Sequence, residues 1–86
     1  MEERIAQLDK ILPVVVRVHG DNHPELAEVG TLYKALREAW DNKDEAAAKK
    51  CLGELEKVTE GFSVPADACP TYEKTYRLLS EWAKEA

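Results

Sequence analysis

Apolar residues in this chain recur at alternating steps of three and four, and they do so in four separate stretches. Ile5, Leu8, Leu12 and Val15 form the first series, with His19 next in step. Leu26, Val29, Tyr33, Leu36 and Trp40 form the second. Ala48, Cys51, Leu55, Val58 and Phe62 form the third, and Tyr72, Thr75, Leu79 and Trp82 the fourth, with Tyr76 alongside. That spacing puts each series on one face of a helix. A helix with one apolar stripe must bury it, and four of them bury their stripes against one another.

Punctuation between the series sets the boundaries. Gly20 is expected to end the first helix through a left-handed backbone, and Pro24 to open the second, capped by Asn22 or His23. Asp41-Asn42-Lys43-Asp44 is a polar break, with Asp44 able to cap the third helix. Gly61 to Cys69 reads as a loop, and Pro70 opens the fourth helix. Helices are thus predicted near residues 2–19, 24–41, 44–60 and 70–85. Pro13 conflicts with this pattern, and predicts a kink or a late start in the first helix. Short links between four helices give an all-α, compact up-and-down four-helix bundle, residues 1–86 forming one domain.

Composition narrows the function. The net charge of −5 opposes binding to nucleic acid or to anionic membranes. The longest apolar run, Ile11 to Val16, is far too short to span a bilayer. With Met1-Glu2-Glu3-Arg4 at the start and no signal-peptide pattern, a cytoplasmic location is expected. In that compartment Cys51 and Cys69 are expected as reduced thiols that pack as small apolar groups.

Two stretches carry a family resemblance. His19-Gly20-Asp21-Asn22-His23-Pro24-Glu25-Leu26, followed by Leu32-Tyr33-Lys34-Ala35-Leu36, resembles a helix junction of the hemerythrin-like di-iron proteins of iron–sulfur cluster repair. Thr59 to Tyr72, with Pro65 and the Ala68-Cys69 pair, resembles the proline-containing loop of the same family, and Tyr76 and Leu79 continue its last helix. The resemblance implies a hemerythrin-like bundle. It also implies a di-iron site fed by histidines from all four helices and by His-x3-Glu pairs near the ends of the second and fourth. This chain has two histidines, and neither stands in such a pair. Trp40-Asp41-Asn42 stands about where one pair would begin, and Lys43 or Asp44 near another ligand position. In an antiparallel bundle these departures fall at one end, so the iron-binding end is expected to be shortened and no di-iron centre is expected.

The remaining candidates are few. His19 and His23 lie four apart, but Gly20 and Pro24 interrupt the helix that would align them. With Asp21, Glu25 or Asp67 they could hold iron or zinc, across a dimer if one chain supplies too few ligands. The simpler reading makes His19 a hydrogen-bonded residue at the core edge and His23 part of the turn. Cys69, at the start of the fourth helix, is a reactive-thiol candidate or a structural cap. No catalytic residue set and no phosphate loop is visible. The expectation is a non-catalytic helical module without a cofactor, acting through a protein partner or itself as a homodimer. The alternative is an iron- or zinc-binding protein using His19 and His23.

Overall fold

The computed structural model describes the whole chain, Met1 to Ala86, as four helices: α1 (Glu2–His19), α2 (Glu25–Asp41), α3 (Glu45–Val58) and α4 (Pro70–Glu85). There is no strand. α1 borders α2 and α4, and α3 borders the same two, so the helices run round the core in chain order. This is an up-and-down four-helix bundle. No helix is long and apolar enough to cross a membrane.

The stripes meet as a single core. Leu8, Leu36, Leu55 and Leu79, one from each helix, are completely buried. Around them lie Ile5, Leu12, Val15, Leu26, Val29, Tyr33, Leu52, Tyr72, Tyr76 and Trp82. Two stripes depart from their sequence reading at the ends. Ala39, not Trp40, takes the buried place at the end of α2, and Trp40 is 39% exposed. In α3 the buried positions are Ala48, Leu52, Leu55 and the adjoining Thr59, while Cys51 and Val58 are half-buried. The face of α3 is therefore rotated by about one residue from the expected one. Phe62 lies beyond the helix in a turn.

Backbone details explain the boundaries. α1 runs unbroken through Pro13, which sits on its exposed side. There the carbonyl that Pro13 cannot serve has water as an alternative partner. The Asp44 carboxylate caps α3, accepting from the Ala47 amide at 3.1 Å. α2 ends with the Asp44 amide donating to the Ala39 carbonyl and the Lys43 amide to Trp40. α3 ends likewise, Gly61 donating to Glu56 and Glu60 to Lys57. Both are Schellman endings, and they place Lys43 and Glu60 in the left-handed region, at φ of 56° and 54°.

A polar network ties α1 to α2. The Tyr33 hydroxyl donates to Asp9 at 2.6 Å, and the Arg37 Nε donates to the same carboxylate at 2.9 Å. Arg37 also reaches Asp41 at 2.8 Å. Burial, then the Asp9 hydrogen bond, pushes the Tyr33 phenol far above its usual range, so it stays a donor. Burial alone would raise the Asp9 carboxyl, but Tyr33 and Arg37 outweigh it and hold it below its usual range. At the chain ends Arg4 joins Glu85 at 2.6 Å, an exposed pair of small energetic weight.

Two outcomes are expected. Leu55→Ala should lower the unfolding free energy by about 2–5 kcal/mol in urea titrations, a large share of the stability of so small a domain; a loss under ~0.5 kcal/mol would remove Leu55 from the core. Asp9, held low in the fold, stabilises the fold above the ordinary carboxyl range, and that contribution disappears as pH falls through its lowered value. Thermal melts of wild type and Asp9→Asn should therefore differ most at neutral pH and converge in acid. A gap that widens on acidification would contradict the network.

Candidate functional site

The antiparallel arrangement brings both histidines, the loop between α3 and α4 and the first turn of α4 to one end of the bundle. His19 ends α1 half-buried. Its Nε2 lies 3.3 Å from the Cys69 Sγ. Cys69 is the N-cap of α4, and its sulfur accepts from the Tyr72 amide at 3.4 Å. With the sulfur accepting from that amide, its S–H is free to donate to His19. The pair thus joins the end of α1 to the start of α4.

His23 makes a separate tie. Its Nε2 is 3.1 and 3.2 Å from the two Asp67 carboxylate oxygens, and its Nδ1 is 3.4 Å from Glu25. The His23 hydrogen bond holds the exposed Asp67 carboxyl below its usual range. This contact fastens the α3–α4 loop to the turn that opens α2.

Both imidazoles stand edge to face with one ring. Tyr72 meets His19 with centroids 5.1 Å apart and His23 at 5.6 Å, and meets Tyr76 at 5.1 Å. Tyr72 is completely buried, and its hydroxyl finds no hydrogen-bond partner. Burial raises the Tyr72 phenol, while the neighbouring Tyr76 hydroxyl pulls it the other way. Thr59 closes the turn beneath: its hydroxyl donates to the Leu55 carbonyl at 2.7 Å and accepts from the Phe62 amide at 2.8 Å.

The turn itself corrects two sequence expectations. Gly20 has φ −59° and ψ −31°, an ordinary right-handed conformation. Glycine is required there for space: a Cβ would collide with the Val16 carbonyl oxygen. Neither Asn22 nor His23 caps α2 with its side chain. The boundary residue is Pro24, itself helical in φ and ψ, and the His23 and Pro24 carbonyls accept the first amides, from Leu26 and Ala27. The chain reverses from α1 to α2 through turns at Gly20 to Asn22 and at Pro24.

As a chemical constellation this end is a set of pairs. His19 faces a thiol and His23 faces carboxylates, so the two imidazoles point to different partners. Nowhere do three or more His, Cys, Asp or Glu side chains converge as metal ligands would. Asp21 is exposed and joins neither pair. Cys51 is half-buried on α3, where burial pushes its thiol up and away from reactivity. The opposite end, where Trp40, Lys43, Asp44 and Trp82 gather with Glu2, Glu45 and Glu85, holds neither histidine.

That opposite end carries the second feature. A groove of about 700 Å³ is lined by Met1, Ala39, Trp40, Ala48 and Trp82, with Lys43, Asp44, Glu45 and Lys49 round it. Trp40 stands edge to face with the buried Trp82 at 5.8 Å. Sequence periodicity placed Trp40 in the core and so missed the groove. The signal was present in the Ala39-Trp40 pair, where a smaller neighbour can take the buried place at a helix end. Comparison of the chain with protein-family models, curated proteins and solved structures gives no match.

The geometry of the turn fixes an order of effects. Gly20→Ala should cost about 1–3 kcal/mol in chemical unfolding, because the backbone must shift to admit the methyl. His23→Ala, which removes a contact to an exposed carboxylate, should cost under ~1 kcal/mol. The reverse order would show that the turn depends on His23 and not on the close approach at Gly20.

Proposed function

We propose that this chain is a non-catalytic helical module that acts through protein contact, and that its contact surface is the Trp40 end of the bundle. The observation that carries the reading is the exposure of Trp40 over an apolar groove floored by Ala39, Ala48 and Trp82. An exposed Trp beside apolar floor and a charged rim has the layout of an interface centre. The rim bears Lys43 and Lys49 as well as Glu2, Asp44, Glu45 and Glu85. A patch with both signs can meet a copy of itself turned through a two-fold axis, lysines against carboxylates.

Self-association is the form this takes. The molecule measures 35 × 24 × 19 Å, so an end face offers about 24 × 19 Å. That is below the roughly 800 Å² per partner of a stable complex, and it implies a weak dimer. The resemblance to the hemerythrin-like di-iron proteins would put that family's iron at the Trp40 end, and both histidines lie at the other end. His19 and His23 face different partners, Cys69 and Asp67, and no three ligand side chains converge there.

Light scattering across a concentration series tests the proposal. Between about 10 µM and about 1 mM the mean mass should rise toward that of a dimer, the range expected of an undersized interface. Trp40→Ser should hold the chain monomeric, whereas Val18→Ser, at an exposed apolar residue of α1, should leave the rise intact. A monomer at every concentration, or a dimer indifferent to Trp40→Ser, would overturn it.

A further inference from the structure

A second apolar series runs along α1, outside the one that fills the core. Ile11, Val14 and Val18 recur at steps of three and four, on the flank of the helix. Ile11 is half-buried, whereas Val14 is 39% and Val18 62% exposed. Valine forms helix less readily than alanine or leucine, so two exposed valines serve neither the helix nor the core. Lys10 and Arg17, both exposed, stand one row further outward.

Packing against α4 adds a third cation. Arg4 meets Glu85 at 2.6 Å and Glu81 at 3.7 Å, which sets the register of the two antiparallel helices. Two helical turns take about seven residues. Ile11 lies seven residues after Arg4 and Lys74 seven before Glu81, so Ile11 and Lys74 stand side by side. Lys74 is half-buried. None of the fold's ion pairs uses Lys10, Arg17 or Lys74. From Lys10 to Gly20 the chain has no carboxylate. Asp9 is engaged by Tyr33 and Arg37, and Glu81 and Glu85 by Arg4. Glu73 is turned about 100° from Lys74 round α4. A chain of net charge −5 thus presents one positive flank beside an exposed apolar series.

A partner for this flank needs apolar side chains for the series and carboxylates for the three cations. A helix supplies both at the spacing of Ile11, Val14 and Val18. An anionic bilayer offers similar chemistry, but the carboxylates over the rest of the chain oppose its approach. We propose that the Ile11–Val14–Val18 flank of α1 docks an acidic amphipathic helix of a partner protein, with Lys10, Arg17 and Lys74 pairing its carboxylates. This contact does not rest on self-association through the Trp40 surface.

The test is a titration of the full chain at neutral pH, followed through its backbone amide signals. The probe is a capped peptide of about 15 residues, long enough to form helix, with leucines at steps of three and four and glutamates beside them. A second peptide carries lysine in place of every glutamate, and vesicles of phosphatidylglycerol form a third arm. The acidic peptide should shift the amides of Lys10 to Val18 and of Lys74 to saturation, and the basic peptide should not. Raising the salt from about 0.05 M to about 0.5 M should weaken the binding, because exposed charge pairs are screened. The double variant Lys10→Glu/Arg17→Glu should weaken it about tenfold, and Val14→Ser/Val18→Ser by a similar factor. These side chains lie on the surface, so both variants should keep the amide spectrum of the fold. Val64→Ser, at an exposed apolar residue of the α3–α4 loop, should leave the affinity unchanged. Equal binding of the two peptides, no shift from the acidic one, or unchanged affinity in both double variants would overturn the proposal. Binding to the vesicles without binding to the acidic peptide would overturn it in favour of a membrane surface.

Discussion

The closed end of the bundle depends on the burial of Tyr72. The ring lies among His19, His23 and Tyr76, and its own amide is the one that Cys69 caps. Through these contacts it joins the exit of α1, the turn into α2, the loop from α3 and the start of α4. Each contact alone is small; edge-to-face aromatic pairs contribute about 0.5–1.5 kcal/mol beyond their buried area. Their convergence on one rigid side chain makes the end cooperative. The histidines are fixed as a consequence: one is turned to a thiol, the other to a carboxylate.

The other end has no such centre. Trp82 is buried there, but Trp40 leans on it with one face toward solvent. The chain ends are joined by Arg4 and Glu85, both at the surface. The bundle is thus polarised, with side chains converging on the buried Tyr72 ring at one end and Trp40 part-exposed over a groove at the other.

Much of the architecture was legible in the spacing of apolar residues. Leu8, Leu36, Leu55 and Leu79 stand mid-stripe, where helical period leaves no choice of face, and all four are fully buried. Asp44 and Pro70 marked helix starts because their chemistry suits those positions and no others nearby. Legibility failed where three-dimensional crowding decides. Gly20 invited a left-handed reading, since that is glycine's usual reason for standing at a helix end, but the actual constraint is the approach of the Val16 carbonyl. Left-handed positions fell instead on Gly61 and on Lys43, Glu60 and Phe62, and the type of the last three gives no hint of it. Trp40 continued its stripe in register, yet at the last turn of α2 Ala39 takes the buried place and Trp40 is left part-exposed against Trp82. The pairing of His19 with Cys69, 50 residues apart, depends on loop conformation and has no local sequence signal.

Polarisation of the two ends is the central claim, and native-state hydrogen exchange tests it most directly. The amides of Asn22 and His23, bonded to the His19 carbonyl, and those of Asn42 and Asp44, bonded to Glu38 and Ala39, are turn amides of comparable hydrogen-bond length. They differ in what lies behind them: Tyr72 and its ring of contacts, or the open Trp40 groove. The His19–His23 turn should exchange only with free energies near that of global unfolding, and the Asn42–Asp44 turn through local opening at markedly lower cost. Equal protection of the two turns, or slower exchange at Asn42 and Asp44, would contradict the account.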